Sequence, residues 1–424
     1  MIPNQNPSRP TRRLRIAVWY NLPPGGARRS LYYQVKGLLA RGHEVSVWRP
    51  TPEGPDSDLM SLGSLIDERH VPLKVGSMSG TVLDRIDKRG AELRASVEAM
   101  TCHSQLCATE MEAWKADVLL ATNCVQYHAP FVGRFFAGPK ALYLQEPKRI
   151  LYEAQDRSIW RHQEVPAGAG RLRSLKSWIG DRFRFRMYRE LANLDYHNAI
   201  AFDLMLVNSY FSRESMLRAY NIDAKVCYLG IDPDLFRLTD SPKKQFVVGL
   251  GSITPNKNIE FVIDSLATIA HHRPKLVWIG QTSQHTYAEV LAQRAHAKGV
   301  ELELRVMASD PELIDALGGA LALVYAPRLE PFGFAPLEAN ACGTVAIGVR
   351  EGGVRETIVD GVNGFLVPPD HEAFGAKVAE LAANPALARQ MGREAASHVR
   401  SNWTWDRSID LLETELYDLV GRVV

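Results

Sequence analysis

The chain has 424 residues, of which 46% are hydrophobic and 23% are charged, and its formal net charge at pH 7 is +2. This length predicts two or three domains with sizeable buried cores, and the composition is ordinary for a soluble globular protein. The near-neutral charge argues against a general nucleic-acid binder, and without a run of about eighteen apolar residues we expect no membrane-spanning helix.

The first segment, residues 1–13, is polar and contains two prolines but no apolar core. We therefore expect a disordered tail rather than a secretory signal. The five cysteines are scattered and odd in number, which favours reduced thiols in a cytoplasmic protein over a disulfide framework. Cys102-His103 with Cys107 is not followed by a second ligand pair at zinc-site spacing, so we disfavour a metal clip there.

Short apolar runs alternate with amphipathic stretches in the first half of the chain, a pattern typical of parallel α/β sheets. Leu14–Trp19 predicts the first strand, Gly25-Gly26 ends its loop, and residues 30–40 predict the next helix. Further strands are predicted at residues 44–48, 118–121, 141–144 and 204–207. Periodicity alone does not separate such short runs from pieces of helix.

Residues 171–189 alternate Arg and Lys with large apolar side chains. One interpretation is a helix that lies on a membrane surface or binds an anionic acceptor. The other is an amphipathic helix whose apolar side packs on the first domain, and this is the interpretation that we favour.

A second series of elements begins near Gln245. Strands are predicted at residues 246–250, 275–279, 302–306, 320–325 and 345–347, with helices at 259–270 and 287–298. Gly and Pro punctuate residues 228–236, which predicts a linker. The stretch from Trp403 predicts a final helix. We therefore expect one domain from residues 14–230 plus about 405–424, and a second from residues 231–404.

Two carboxylates, Glu330 and Glu338, lie eight residues apart around a Pro/Gly loop between a predicted strand and a predicted helix. Such loops bind anions, because backbone N–H groups and the helix dipole favour negative charge. Carboxylates suit this place when the ligand also carries hydroxyls, as a sugar nucleotide does. Taken alone, the spacing is more often two surface residues.

The surrounding residues resemble the retaining GT-B glycosyltransferases of family 4, also called glycosyl transferases group 1. The matching stretches are residues 327–334, 337–344, 352–358 and 360–367. The resemblance implies a GT-B fold, with two Rossmann-like domains whose parallel sheets face a central cleft. It also implies that Glu330 contacts the donor sugar and Glu338 the nucleotide ribose.

Gly249-Leu250-Gly251-Ser252 opens the first loop of the second series. A lone Gly-x-Gly is weak evidence, and the missing third glycine counts against NAD. The resemblance implies an Arg and then a Lys on the diphosphate. Lys257 matches the Lys, whereas Ser252 stands in the place of the Arg, so Arg328 is the candidate for a second cation.

The same resemblance assigns Phe332, Gly333 and Phe334 to the donor site. Gly353 precedes another predicted helix, and we expect its N–H to face the pyrophosphate or the sugar. A simple turn is the alternative for Gly353.

Gly25 and Gly26 let the backbone approach a ligand closely, with a plain tight loop as the alternative. The resemblance implies that this loop, with Arg28, contacts the donor diphosphate or the acceptor. Gln145 stands where the family usually carries a His, and Gln does not titrate near neutrality. His128 lies nearby in sequence, but an ordinary half-buried His is the simpler interpretation.

Asp232-Pro233-Asp234 matches an Asp-x-Asp metal motif, but we interpret it as a linker turn. The sequence therefore predicts a retaining, metal-independent glycosyltransferase that uses a UDP- or GDP-sugar, with no other cofactor, and a sugar, lipid-linked or small-molecule acceptor. We expect it in the cytoplasm, with peripheral contact at the inner membrane face as an option. One alternative is a hydrolysing epimerase or a phosphorylase. The other is a sugar-nucleotide binding protein with little turnover, and Ser252 and Gln145 are the residues that favour it.

Overall fold

The computed structural model describes residues 12–51, 61–75, 87–153, 171–239, 241–281, 285–306 and 309–423, with backbone alone at 171–177, 179, 285 and 423. Of the predicted disordered tail, only Arg12 and Arg13 fall within this part of the chain. By clustering of contacts the chain forms two compact units. The first unit comprises Met1–Leu206, Ser215–Lys225 and Leu411–Val424, and the second comprises Val207–Glu214 and Val226–Asp410.

Seven strands of the described chain form the first sheet, in the order β3-β2-β1-β4-β5-β6-β7. Neighbouring strands from β3 to β6 pair in parallel. The strands are β1 (Arg15–Asn21), β2 (Glu44–Pro50), β3 (Glu68–Val71), β4 (Val118–Cys124), β5 (Lys140–Tyr143), β6 (Leu204–Val207) and β7 (Lys225–Val226).

The second sheet has six described strands in the order β10-β9-β8-β11-β12-β13, and all its pairings are parallel. Its strands are β8 (Phe246–Leu250), β9 (Lys275–Ile279), β10 (Leu302–Arg305), β11 (Leu323–Tyr325), β12 (Ala346–Val349) and β13 (Gly364–Val367). The predicted fold class, α/β with two parallel sheets, is confirmed.

The described helices connect these strands. In chain order they are α1 (Gly26–Ala40), α2 (Lys88–Ala113), α3 (Arg149–Tyr152), α4 (Arg171–Ala199), α5 (Tyr210–Tyr220), α6 (Ile259–Ala267), α7 (His285–Ala297), α8 (Asp310–Gly319), α9 (Phe334–Ala341), α10 (Val354–Thr357), α11 (His371–Ala383), α12 (Pro385–Asn402) and α13 (Trp405–Val423). Among them, none combines the length and apolar character needed to cross a lipid bilayer.

The core of the second unit explains why its strands read as unbroken apolar runs. Central parallel strands are covered by helices on both faces, so their side chains are buried on both sides. Trp278 of β9 is fully buried among residues of β8, β11 and α6. Its ring fills the space next to Gly249, where a Cβ would approach it to 2.1 Å. The strands that place the loops of the second unit are therefore held by close packing.

The long helix α2 was not predicted, because polar residues line part of its buried face. His103 accepts a hydrogen bond at Nε2 from Nε1 of Trp19, at 3.2 Å, and Cys107 packs beside it. Cys102 is exposed while Cys107 is buried, and all five cysteines are free thiols. His103, Trp19 and Cys107 form a structural contact in the core of the first unit.

The final helix α13 lies where the sequence predicts it, with Leu412, Leu416 and Leu419 buried. From Leu411 onward it belongs to the first unit. There Glu413 accepts a hydrogen bond from Nη1 of Arg41 at 2.9 Å and forms a 2.8 Å contact with Nε2 of His43. The Nδ1 atom of His43 accepts from the Leu14 N–H at 3.2 Å, so Nε2 is the atom that donates to Glu413. Glu413 thereby links α13 to the turn before β2.

Candidate functional site

The strand order of the second sheet reverses between β8 and β11. The chain proceeds from β8 towards β9 and β10 on one side, and from β11 towards β12 and β13 on the other. Open parallel sheets bind ligands in the crevice outside the carboxyl ends of the two strands at such a switch point. The loops after β8 and β11 carry Lys257 and Glu330 respectively, so topology alone brings these two residues to the same place.

The β8 loop turns back sharply at Gly251. Its φ of +138° is a conformation that L-residues rarely adopt, and a Cβ there would lie 3.2 Å from Cε of Lys257. The Gly251 carbonyl accepts a 2.9 Å hydrogen bond from Nε1 of Trp278. A 3₁₀ turn, Pro255–Lys257, then ends at Asn258 in the left-handed region. Gly251 therefore leaves room for the Lys257 side chain to fold back over the strand end.

Lys257 and Glu330 form an ion pair at this edge. Nζ of Lys257 lies 2.8 Å from Oε2 of Glu330, and the side chains are 19% and 17% exposed. Nζ also lies 6.0 Å from the centre of the Tyr325 ring, at the end of β11. The structure thus brings together the two residues that the sequence predicts as catalytic. A cation and a carboxylate, both reachable from solvent, suit a ligand with phosphate and hydroxyl groups.

Other predicted donor residues lie on the same two loops. The Arg328 N–H donates to the Asn256 carbonyl at 3.1 Å, which ties the β11 loop to the 3₁₀ turn. The Arg328 side chain is exposed. The Ser252 hydroxyl lies 3.2 Å from Oγ1 of Thr254. Ser252 is thus a neutral polar residue at the position where the family resemblance implies a cation.

Two predicted donor contacts are not supported by this geometry. The Gly353 N–H donates to the Glu330 carbonyl at 2.7 Å, so it is engaged within the protein rather than directed at a ligand. Phe332 is only 3% exposed and packs edge-on against Phe334 and Trp403, with ring centres 5.2 and 5.6 Å apart. Gly353 therefore holds the loop of Glu330, and Phe332 belongs to the core, while Phe334 stays half-buried.

Glu338 lies in α9, which starts after Gly333 in the left-handed region. It is 3% exposed, so a ribose contact would be made by a recessed carboxylate. Burial, with the nearby Glu338 charge as a smaller cause, raises the pKa of the Cys342 thiol to about 12. Cys342 is therefore no candidate nucleophile at neutral pH.

The predicted acceptor residues lie in the first unit. Its sheet has a switch point of its own between β1 and β4, where Asn21 pairs with Cys124. Gly25 and Gly26 follow β1 and are exposed, and Gln145 follows β5 and is half-buried. Arg28 differs from the expectation, because it is 2% exposed with its guanidinium 5.7 Å from the centre of the Tyr20 ring. It packs inside the first unit instead of presenting its charge to solvent.

His128 follows β4 and is held in place by its own backbone, which exchanges hydrogen bonds of 2.8 and 2.7 Å with Cys124. The N–H of the next residue, Ala129, donates to Oδ1 of Asp195 at 3.0 Å, and its carbonyl accepts from Nδ2 of Asn198 at 3.0 Å. Both of these side chains belong to α4. Burial lowers the pKa of His128 to about 4, assisted by the Lys148 and Arg149 charges. A neutral imidazole on a hydrogen-bonded backbone agrees with the interpretation of an ordinary half-buried His.

The Asp232 carboxylate caps a turn. Its Oδ1 accepts from the N–H groups of Asp234 and Leu235 at 2.9 and 3.3 Å. This is the arrangement of an Asx-type turn, in which a short carboxylate replaces a backbone acceptor. The described geometry of the Asp-x-Asp pair thus matches the linker turn that the sequence indicates.

A cavity of about 590 Å³ lies away from this site, lined by Lys243, Arg389, Arg393 and neighbouring residues. Lys243 precedes β8, so this cavity is at the opposite edge of the sheet from Lys257. The Lys243 ammonium donates to the carbonyls of Gly318 and Gly343 and to the Thr344 hydroxyl, at 2.9, 2.8 and 2.7 Å. Lys243 is therefore a structural link between the ends of α8 and α9.

Residues 231–398 match the family model described as glycosyl transferases group 1. Among curated proteins, D-inositol 3-phosphate glycosyltransferase of Segniliparus rotundus is 27% identical over 49% of this chain and 50% of the relative. The α-1,3/1,6-mannosyltransferase ALG2 of Mus musculus is 24% identical over 65% and 69%. The chain therefore spans about half the length of the first relative and about two thirds of the second.

Among solved structures, sucrose-phosphate synthase of Thermosynechococcus elongatus superposes with a TM-score of 0.70 at 19% identity, over 97% of this chain and 100% of that one. HepE of Anabaena, in complex with UDP and glucose, superposes with a TM-score of 0.64 at 18% identity, over 96% and 100%. At these identities the likeness shows the fold. The matched region contains Lys257, Glu330 and Glu338, so this part of the chain is similar to the glycosyl transferases group 1.

Proposed function

We propose that this protein is a retaining glycosyltransferase that moves a sugar from a nucleoside-diphosphate sugar to an acceptor hydroxyl without a metal. The observation that carries the proposal is the meeting of Lys257 and Glu330 at the switch point of the second sheet, inside the region matched to the family. The donor would lie on the second domain, residues 231–404, and the acceptor on the first.

The three charged residues have different roles in this proposal. Lys257 contacts the diphosphate and stabilises the negative charge that grows as the leaving group departs. Glu330 accepts hydrogen bonds from sugar hydroxyls and offsets positive charge on the ring, and Glu338 contacts the ribose. As in the family that the chain resembles, the acceptor hydroxyl attacks the same face of the sugar and the departing phosphate takes its proton.

The ion pair between Lys257 and Glu330 suggests the order in which the parts of the donor bind. Before the donor binds, the Lys257 ammonium is neutralised by Glu330 at 2.8 Å. An arriving diphosphate competes for Lys257, because a phosphate is a strong acceptor for an ammonium group. Glu330 is then released to accept hydroxyl hydrogen bonds from the sugar. A nucleotide sugar offers a diphosphate to Lys257 and sugar hydroxyls to Glu330, whereas a free nucleoside diphosphate offers only the group that binds Lys257.

The donor is proposed to be a UDP- or GDP-sugar. A solved structure with the same fold contains UDP and glucose, which makes UDP-glucose a suitable first probe. The acceptor is proposed to be a sugar, a lipid-linked sugar or a small molecule, contacted by the Gly25-Gly26 loop and Gln145. Arg328 is the residue proposed to supply the second cation that Ser252 does not.

A cytoplasmic location with peripheral membrane contact is also proposed, through α4. Trp178, Arg182, Arg186 and Arg189 are exposed, and their spacing places them on one face of the helix. The side chains at 171–177 and 179 lie outside the described residues. Because Phe183 and Phe185 are half-buried, the same helix also fits the packing interpretation. Sedimentation with vesicles of phosphatidylglycerol, against phosphatidylcholine alone, separates the two: binding to neither would leave the packing interpretation.

The proposed function is tested by a thermal-shift panel of UDP- and GDP-sugars, followed by an assay of nucleotide release. A ligand at about 100 times its dissociation constant adds ~2.7 kcal/mol of stability, a shift that is readily measured. Release that needs an acceptor, or is slow without one, supports a transferase. Rapid release without an acceptor would favour a hydrolysing epimerase, and binding without release would favour a binding protein. Relatives named as transferases make these rivals the less favoured ones.

A further inference from the structure

The residue just before Glu330 has an unusual backbone. Leu329 has a φ of +51°, in the left-handed region that a branched L-residue rarely occupies. Its N–H donates at 3.0 Å to Oε1 of Glu351, which lies 22 residues further along the chain. A conformation of this kind persists only where its surroundings hold it in place. The Glu351 carboxylate is one such contact, and it makes a charge-assisted hydrogen bond.

The residues after Glu351 hold Glu330 itself. The Glu330 carbonyl accepts the Gly353 N–H at 2.7 Å. Gly352 has a φ of +61°, and a Cβ there would come within 2.6 Å of the same carbonyl oxygen. Nε of Arg355 donates to the Gly352 carbonyl at 3.0 Å, which closes the turn. The backbone is therefore fixed on both sides of the Glu330 side chain by one short segment, residues 351–353.

This segment decides where the Glu330 carboxylate points. Were Leu329 to relax to negative φ, the chain direction entering Glu330 would change, and its side chain would swing away from Lys257. The 2.8 Å contact with Lys257 allows little such movement. Lys257 is carried by the separate β8 loop, so it would stay in place while Glu330 moved. Catalytic groups displaced by about 1 Å can lose about 100-fold in rate.

We propose that Glu351 is a positioning residue: its carboxylate holds Leu329 in the left-handed conformation and so aims the Glu330 carboxylate at Lys257 and at the sugar end of the donor site. This role rests on the proposed function for its catalytic consequence. The orientation of Glu330 can be measured separately, through the affinity for free UDP. A misdirected Glu330 would no longer compete with UDP for Lys257.

The first test uses turnover. Glu351→Ala should lower kcat for transfer from the active donor by about 100-fold. Glu351→Gln keeps an acceptor oxygen for the Leu329 N–H and should retain most of the activity. Leu329→Gly removes the steric cost of positive φ, so adding it to Glu351→Ala should recover at least about tenfold. The matched control is Glu394→Ala, an exposed glutamate of α12 at the opposite edge of the sheet.

The second test uses UDP binding by calorimetry and needs no activity. Glu330→Gln should tighten UDP binding about fivefold in the wild-type background, because the competing charge is gone. Glu351→Ala should tighten it similarly, and Glu330→Gln should then add nothing. A purely structural role predicts the reverse, namely weaker UDP binding in Glu351→Ala together with a lower melting temperature.

The outcomes separate this proposal from the proposed function. If no nucleotide sugar is turned over by the wild type, the transferase assignment fails, while the UDP cycle still decides whether Glu351 aims Glu330. If the wild type is active and Glu351→Ala keeps its kcat, or if Glu330→Gln has the same effect on UDP affinity in both backgrounds, Glu351 is not a positioning residue.

Discussion

The Lys257–Glu330 pair leads to a prediction that separates binding from catalysis. Glu330→Gln preserves the shape of the side chain and removes its charge. Because the pair is already formed in the absence of ligand, at 2.8 Å, Glu330 competes with a diphosphate for Lys257. We predict that Glu330→Gln binds free UDP more tightly than the wild type, while transfer from UDP-glucose, or from whichever donor is active, falls by two to three orders of magnitude, about 3–4 kcal/mol.

The size of the binding effect follows from the geometry. Two unit charges 2.8 Å apart attract by ~6 kcal/mol at an effective dielectric constant of about 20, and by ~1.5 kcal/mol in bulk water. Most of this is offset by desolvation, and measured exposed pairs contribute up to about 1 kcal/mol. The side chains here are less than one fifth exposed, so we take ~1 kcal/mol as the competition that Glu330 exerts, which is about fivefold in the dissociation constant.

The assay is isothermal calorimetry of UDP and of the intact donor on the wild type and on Glu330→Gln, with turnover measured on the same samples. The donor should lose the advantage over UDP that Glu330 provides through sugar hydroxyls. Melting temperatures of both proteins serve as the control for folding. If UDP binds more weakly to Glu330→Gln, Glu330 does not compete for Lys257. If UDP and the donor lose affinity equally, the assignment of Glu330 to the sugar end is wrong.

Four further predictions test the remaining parts of the site. Lys257→Ala should lower kcat more than it raises KM, since its charge acts most strongly as the leaving group departs; a change in KM alone would make it a uniform binding residue. Glu338→Ala should weaken UDP binding by about 1.5–3 kcal/mol through lost ribose hydrogen bonds, and calorimetry with unchanged affinity would remove Glu338 from the nucleotide site. Gly352→Ala should destabilise the loop and reduce activity, because its Cβ would meet the Glu330 carbonyl at 2.6 Å; an unchanged melting temperature and rate would show that the contact is dispensable. Activity should survive EDTA, and Asp232→Ala should leave it metal-independent; loss in EDTA with rescue by Mg²⁺ or Mn²⁺ would contradict the turn assignment.

Apolar periodicity was enough to predict most of both sheets. Strands such as Phe246–Leu250 and Lys275–Ile279 have the predicted bounds because both faces are buried, so the apolar run begins and ends with the strand. The helix α2, Lys88–Ala113, escaped prediction because buried His103 and Ser104 interrupt its apolar face. His103 accepts a hydrogen bond from Trp19 within the core, and a hydropathy pattern carries no information about such a partner.

The candidate site was predicted in part for the same reason. Loops that follow neighbouring strands of a parallel sheet meet at its carboxyl edge, so the order of elements predicts the approach of Lys257 and Glu330. Backbone details were not predictable from residue type. Gly353 was expected to donate to a ligand and donates to Glu330 instead, and Phe332 turned inward to Trp403. The hydrogen bond from Leu329 to Glu351 joins loops 22 residues apart, and nothing in the local sequence indicates it.

The central claim, sugar transfer with retention at the Lys257–Glu330 site, is tested most directly by proton NMR of an α-linked nucleotide sugar incubated with the protein without an added acceptor. Water then replaces the acceptor hydroxyl, and the first sugar released reports the stereochemistry. The account predicts slow release in which the α anomer appears first, at a rate strongly reduced in Glu330→Gln and in Lys257→Ala. Release of the β anomer first, or a rate unchanged in both variants, would contradict it.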